Sequence, residues 1–154
     1  MKVNELFDLV KSTAVDPIKI KEITDVLWKN VQMMDEYLVE DGKYLMDEHK
    51  EILRDWKRWY TDTFILERCL KSGTIFVNKF GDVFQVIGIY LSWKEMFGMS
   101  HLPLPIHITM LPFKGVIITD GINVPYSVYI DGGKKQLKES YLKAKANRVI
   151  RKCI

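Results

Sequence analysis

Apolar positions along this chain recur at two periods, and the change between them divides it. From Asp16-Pro17 onward, Ile20, Ile23, Leu27, Val31, Met34 and Leu38 follow at steps of three and four, the spacing of one helix face. Aspartate accepts from free N–H groups of a first turn, and proline lacks the donor its position would leave unused. The stripe therefore predicts one continuous helix of about five turns, stopped near Asp41-Gly42 by a left-handed glycine. A second helix is predicted from Met46 to about Tyr60, with Ile52, Leu53, Trp56, Trp59 and Tyr60 on its apolar side. The short loop between the two makes them antiparallel neighbours. A shorter amphipathic stretch, Asn4 to Val10, precedes both.

Beyond Tyr60 the period shortens. Thr63 to Leu66 and Thr74 to Val77 are β-branched and aromatic, a composition suited to a pleated surface, although residues 63–70 also fit a continued helix. Phe80-Gly81-Asp82 reads as a hairpin turn, and the nearly uninterrupted apolar run Val83 to Leu91 as a central strand buried on both faces. Ser92-Trp93-Lys94-Glu95 has the spacing of a capping box and opens a short helix closed at Gly98. His101 to Pro105 is an extended connector, because each proline turns its predecessor away from helix. Ile106 to Leu111 and Val116 to Thr119 are strands joined through Pro112-Phe113-Lys114-Gly115, with a second reversal at Asp120-Gly121. Tyr126 to Ile130 is the last strand, and Asp131-Gly132-Gly133 leads into a basic helix ending near Arg148. The predicted class is α+β: N-terminal antiparallel helices packed on a mostly antiparallel sheet, with a C-terminal basic helix. One domain is expected, with helices over residues 1–62, a sheet over 63–131 and a final helix over 132–150.

The segments FILERCLKSGTIFV, VFQVIGIYLSWKEMF and LPLPIHITMLPFKGVIITDG precede a Gly-rich turn and a Lys-rich helix. Together they resemble an uncharacterised family of small bacterial proteins, over a little more than half the chain. The most specific segment is Leu111-Pro112-Phe113-Lys114-Gly115 with Ile118, Asp120 and Gly121. Members of that family sometimes stand beside small metal-binding modules, whose cysteines are absent here. The resemblance implies no settled activity and transfers no catalytic role.

With 154 residues the chain can bury roughly two-thirds of its unfolded surface. Its hydrophobic share of 47% and charged share of 28% argue against disorder. No apolar run approaches the roughly 20 residues of a membrane span, so no membrane partner is expected. Acids within MKVNELFDLVKSTAVDP make a poor secretory signal. Cys69 and Cys153 are the two cysteines, without zinc-type spacing, which suits a reducing cytoplasm. Net charge is +3 but unevenly spread, since eight basic residues follow from Lys134 onward against the single acid Glu139. Such a tail meets an anionic partner or lies on the acidic segment 35–51, and self-pairing is the preferred expectation.

Candidate chemistry is sparse. His49, His101 and His107 are scattered, Cys69 has no neighbouring histidine, and no nucleophile elbow surrounds Ser72, Ser92 or Ser100. Asp131-Gly132-Gly133-Lys134-Lys135 puts glycines and lysines at a helix start, where anions are attracted, but the full phosphate-loop spacing is missing. Glu67, Arg68, Lys114 and Asp120 are candidates for one ligand-binding cleft, although turn formation explains Asp120 and solvation explains Lys114. Arg54, Lys57 and Arg58 interleave with Trp56, Trp59 and Tyr60, a mixture that can contact phosphates and bases. Lys134, Lys135, Lys138, Lys145 and Arg148 offer a second such surface. The expectation is a non-enzymatic binding or accessory module with no catalytic residue, metal or cofactor, and with a protein or nucleic acid as partner. The alternative is nucleic-acid binding through the two cation sets. A weaker one is a hydrolase built on Glu67, Asp120 and Lys114.

Overall fold

Strand β1 (Tyr60–Leu70) belongs to two pairings at once. The computed structural model describes residues 16–89, 93–97, 102–126 and 132–154. In it β1 runs antiparallel to β2 (Gly73–Val77) through its second half. Its first half runs antiparallel to β4 (Leu104–Phe113). β2 continues into antiparallel β3 (Val83–Val86), and β3 meets β5 (Val116–Thr119) in parallel at Val86 and Ile117. β5 returns antiparallel along β4, so the five strands close into a ring in the order β1-β2-β3-β5-β4. A sixth strand, β6 (Val124–Pro125), pairs with β4 beyond β5.

The ring closes because β1 bends. Between Leu66 and Arg68 it carries one more residue than β2 opposite, and such a bulge turns a strand sharply. Alternation then divides the side chains. Phe64, Leu66, Phe76, Phe84, Val86, Ile106, Ile108, Met110 and Ile117 fill the interior, with rings meeting edge to face at Phe64–Phe84 (5.6 Å) and Phe76–Trp93 (4.9 Å). Trp93 comes from a short helix between β3 and β4 and enters the same core. Each fully buried large side chain contributes about 1.5–3 kcal/mol relative to its exposed state.

Helices cover the outside on two sides. The N-terminal ones are α1 (Pro17–Lys29), α2 (Gln32–Glu40) and α3 (Asp47–Asp55). Trp28 and Met34 pack with Leu111 and Ile118, and Trp56, Trp59, Phe113 and Val116 surround them. The short helix carrying Trp93 is α4 (Trp93–Phe97). The final helix, α5 (Lys134–Ala146), lays Tyr141 and Ala144 on Ile75, Val77 and Val83. Past α5, Arg151 donates its N–H to the Val83 carbonyl (2.8 Å) and accepts from the Gln85 N–H (2.9 Å). The end of the chain thereby extends the sheet along the edge of β3 that β5 leaves open, and Ile154 packs against the interior. The class is α+β, with a mostly antiparallel sheet and a C-terminal helix. Among the described residues no helix is long and apolar enough to cross a membrane.

Several expectations are corrected. The predicted five-turn helix is two, broken at Asn30-Val31, where the Asn30 side chain donates to the Val26 carbonyl (2.7 Å). Residues six apart on a straight helix stand about 120° apart, so the break lets Trp28 and Met34 reach the same patch. The second helix ends at Asp55, passes through a 3₁₀ turn at Trp56–Arg58, and Tyr60 already belongs to β1. Pairing with β4 up to Leu66, and with β2 from Ile65 onward, decides residues 63–70 as strand. The central strand stops at Val86, and Ile89 is exposed. Pro105, placed in a connector, lies within β4, where its carbonyl accepts from the Tyr126 N–H (2.9 Å). Lys114 and Gly115 form the reversal, with φ of 48° and 80°, the handedness that suits a two-residue hairpin.

Asp120-Gly121 does not reverse the chain. β5 and β6 run along the same edge of β4, and their register slips by two residues between them. The corner is a bulge. Asn4 to Val10, Tyr90 to Ser92, Gly98 to His101 and Ser127 to Asp131 lie outside the described residues.

Gly73, the first residue of β2, has φ of +134°, and a Cβ there would stand 3.0 Å from the Val86 carbonyl oxygen and from Ile87 Cδ1. Gly73→Ala is expected to lower stability by about 1–3 kcal/mol, read as a reduced urea midpoint with an unchanged slope. Gly81→Ala, with open space around its Cβ position, should cost less.

Candidate functional site

The candidate residues Glu67, Arg68, Lys114 and Asp120 occupy three separate places. Neighbours on a strand normally point to opposite faces, but the bulge at residue 67 lets Glu67 and Arg68 meet. Arg68 Nη2 donates to Glu67 Oε1 (2.8 Å), and its Nε binds the other carboxylate oxygen. Hydrogen bonding to Glu67 raises the Arg68 pKa, with the Glu67 charge adding to it against desolvation. The guanidinium lies 4.0 Å from the centre of the Tyr141 ring, so this pair docks α5 on the barrel. Lys114, at the β4–β5 turn, is paired with Glu48 of α3, and that hydrogen bond holds the Glu48 carboxyl below its usual value.

Asp120 sits in a third place, at the bulge between β5 and β6. Its Oδ1 accepts from the Ile122 N–H (3.1 Å), while Oδ2 accepts from Trp28 Nε1 (3.0 Å) and from Lys21 Nζ (3.3 Å). Lys21 is 3% exposed. Its ammonium also donates to Thr109 Oγ1 (2.7 Å) and pairs with Asp25 Oδ1 (2.7 Å). Thr109 is linked to Thr61 (2.6 Å), and Asp25 Oδ2 meets His107 Nε2 (2.9 Å). Burial pushes the Asp25 carboxyl up, but hydrogen bonds from Lys21 and His107, and then their charges, leave it below its ordinary value of 3.8. This network joins α1 to β1, β4 and the bulge. It was not anticipated from the sequence, because Lys21 lies beside the apolar stripe rather than on it. The one sign in the sequence was the outward alternation of His107 and Thr109 on a strand that helices cover.

The basic residues fall into two groups on different sides. Lys57 is paired with Asp35 and Arg58 with Asp55 (2.8 Å), while Trp56 and Trp59 pack inward against the Trp28 cluster. These tryptophans are therefore turned away from any base that Arg54, Lys57 or Arg58 could bring near. Lys134, Lys135, Lys138, Lys145 and Arg148 all stand exposed on or just beyond α5, whose apolar side lies on β2 and β3. Within segment 35–51, Asp47, Asp35 and Glu48 pair instead with Lys50, Lys57 and Lys114.

A cleft of about 480 Å³ opens beside the β1–β2 turn, lined by Cys69, Lys71, Thr74, Trp93 and Lys94 among others. Desolvation raises the Cys69 thiol pKa against a Thr74 hydrogen bond and the Lys94 charge, which disfavours the thiolate that a nucleophile needs. Among the described residues, no group of three or more His, Cys, Asp and Glu side chains is placed to hold a metal ion.

Removing one member of a buried ion network strands the others. Lys21→Ala is expected to cost about 3–5 kcal/mol in urea unfolding, whereas Lys114→Ala at the exposed Glu48 pair should leave the urea midpoint nearly unchanged. Because the folded-state pKa of Asp25 lies below 3.8, its contribution is fully present above that value and is lost as pH falls through the lowered one. Asp25→Asn should flatten this region of the acid stability profile, measured by urea midpoints between about pH 5 and pH 2. Compared with protein-family models, with curated proteins and with solved structures, the chain has no match.

Proposed function

We propose that this protein is a non-enzymatic binding module whose ligand is a nucleic acid, held on the basic outer side of α5. The docking of that helix carries the reading. Tyr141 and Ala144 fix it to β2 and β3, so Lys135, Lys138, Lys143, Lys145 and Arg148 form an exposed cationic surface on a fixed frame. Self-neutralisation by segment 35–51 loses support, because the pairs formed there use Lys50, Lys57 and Lys114. A fixed row of cations releases counterions when phosphates replace them, which gives strong, salt-dependent binding without base contacts.

Connectivity points the same way. A ring in the order β1-β2-β3-β5-β4, with β3 and β5 parallel and a short helix between β3 and β4, has the plan of the five-stranded Greek-key barrels that bind oligonucleotides and oligosaccharides. Such barrels receive ligand on the face of strands two and three. Here α5 covers that face, and the ligand meets the helix instead. The hydrolase reading has less support, since Glu67, Lys114 and Asp120 are engaged with Arg68, Glu48 and Lys21 in three separate places. The family resemblance implies no activity and leaves the reading unchanged.

A fluorescently labelled oligonucleotide is expected to bind at about 50 mM salt, with an affinity that falls steeply toward about 200 mM. Replacing Lys135, Lys138, Lys145 and Arg148 together by Gln should weaken binding at least about 10-fold and flatten the salt slope by roughly 0.7 for each single-strand phosphate no longer neutralised. Fluorescence anisotropy reads both quantities. No binding at low salt, or a variant that binds like the parent, would remove the proposal.

A further inference from the structure

The turn between β2 and β3 carries a large apolar side chain that the fold does not bury. Phe80 is 76% exposed, yet the turn holding it is tied by side-chain hydrogen bonds. Asn78, itself buried, accepts through Oδ1 from the Phe80 N–H (2.9 Å) and the Asp82 N–H (2.9 Å). Its Nδ2 donates to Asp82 Oδ2 (3.0 Å), and Gly81 supplies the positive φ of 84°. The ring is thus presented from a fixed frame, with Lys79 Nζ 5.3 Å from its centroid.

This turn is also where the C-terminal cations arrive. Arg151 Nη2 donates to Asp82 Oδ1 (3.0 Å), and the Arg151 backbone pairs with β3 on both sides of Phe84. Lys152 follows directly and Arg148 precedes by three residues, both exposed. The basic surface of α5 therefore ends beside an exposed aromatic ring.

We infer that Phe80 is a stacking platform for one base of a single-stranded nucleic acid, whose phosphates follow Arg148, Arg151 and Lys152. The inference rests on the nucleic-acid reading above and narrows it to single strands. In a duplex both faces of an internal base are covered by its neighbours, so Phe80 has nothing to stack on. An unpaired base offers a free face, and the turn that carries Phe80 needs no new backbone ordering to meet it. Every base has such a face, so the preference is for strandedness rather than sequence.

The experiment compares two labelled probes by anisotropy, an oligothymidylate of roughly 12 residues and a duplex of the same length, against the parent chain, Phe80→Ala and Phe80→Leu. The single strand is expected to bind the parent more tightly than the duplex does. Both variants should lose about 5- to 150-fold for the single strand, the loss from removing one stacked base, with an unchanged salt slope and unchanged duplex affinity. Phe80→Leu keeps the apolar bulk and removes the π face, so it separates stacking from general hydrophobic contact. Both substitutions are at an exposed site, and unchanged urea midpoints verify folding. Equal affinity for the two probes, or a single-strand affinity insensitive to both variants, would overturn the inference and leave the nucleic-acid reading standing. Failure of both probes to bind the parent removes the two together.

Discussion

β4 is buried on both faces, and the rest of the molecule is arranged to meet that demand. Ile106, Ile108 and Met110 point into the ring, while His107, Thr109 and Leu111 point out beneath the N-terminal helices. Leu111 meets its own kind in Trp28 and Met34. Thr109 and His107 are polar, and polar groups covered by a helix need partners there. Lys21 and Asp25 provide them, but an ammonium taken out of water is itself costly unless paired. Asp120, turned inward at the bulge, completes the set. The network fixes where α1 sits, since a slip along β4 would leave several of these groups without partners.

Much of the barrel was legible, and the reasons for the gaps are specific. Alternation from Ile106 to Met110 and the glycine at 115 lead directly to β4, β5 and their turn. Asp120-Gly121 misleads because the same pair suits a hairpin corner and a bulge, both of which use a residue with positive φ. Which one forms depends on whether the outgoing chain finds β4 or β5, and that is settled by the whole ring. Lys21 was hidden because its partners Thr109 and Asp120 are 88 and 99 positions away. The break at Asn30 was hidden because periodicity measures spacing and does not record which surface must be covered.

The groups that look chemical in isolation turn out to be fasteners. Glu67 and Arg68 hold α5, Lys114 ties the β4–β5 turn to α3, and Asp120 receives α1. Charge divides along the same lines. Around the N-terminal helices, Asp35, Asp47 and Glu48 pair with Lys57, Lys50 and Lys114, whereas Lys135, Lys138, Lys143 and Arg148 are exposed on or just beyond α5, which is held by its apolar side. Surface charge arranged that way acts on what approaches the molecule more than on its stability.

The pairing of Arg151 with β3 has a bearing on how the chain is made. Synthesis delivers β1, β2 and β3 before Arg151, and the edge of β3 that Arg151 occupies stays open until β4, β5 and α5 have also been made. An open edge is a template for a neighbouring chain, so the nascent barrel passes through an interval in which polysome-mates can pair in place of its own tail. Asp82, which meets the Arg151 side chain, puts a carboxylate at that edge throughout the wait.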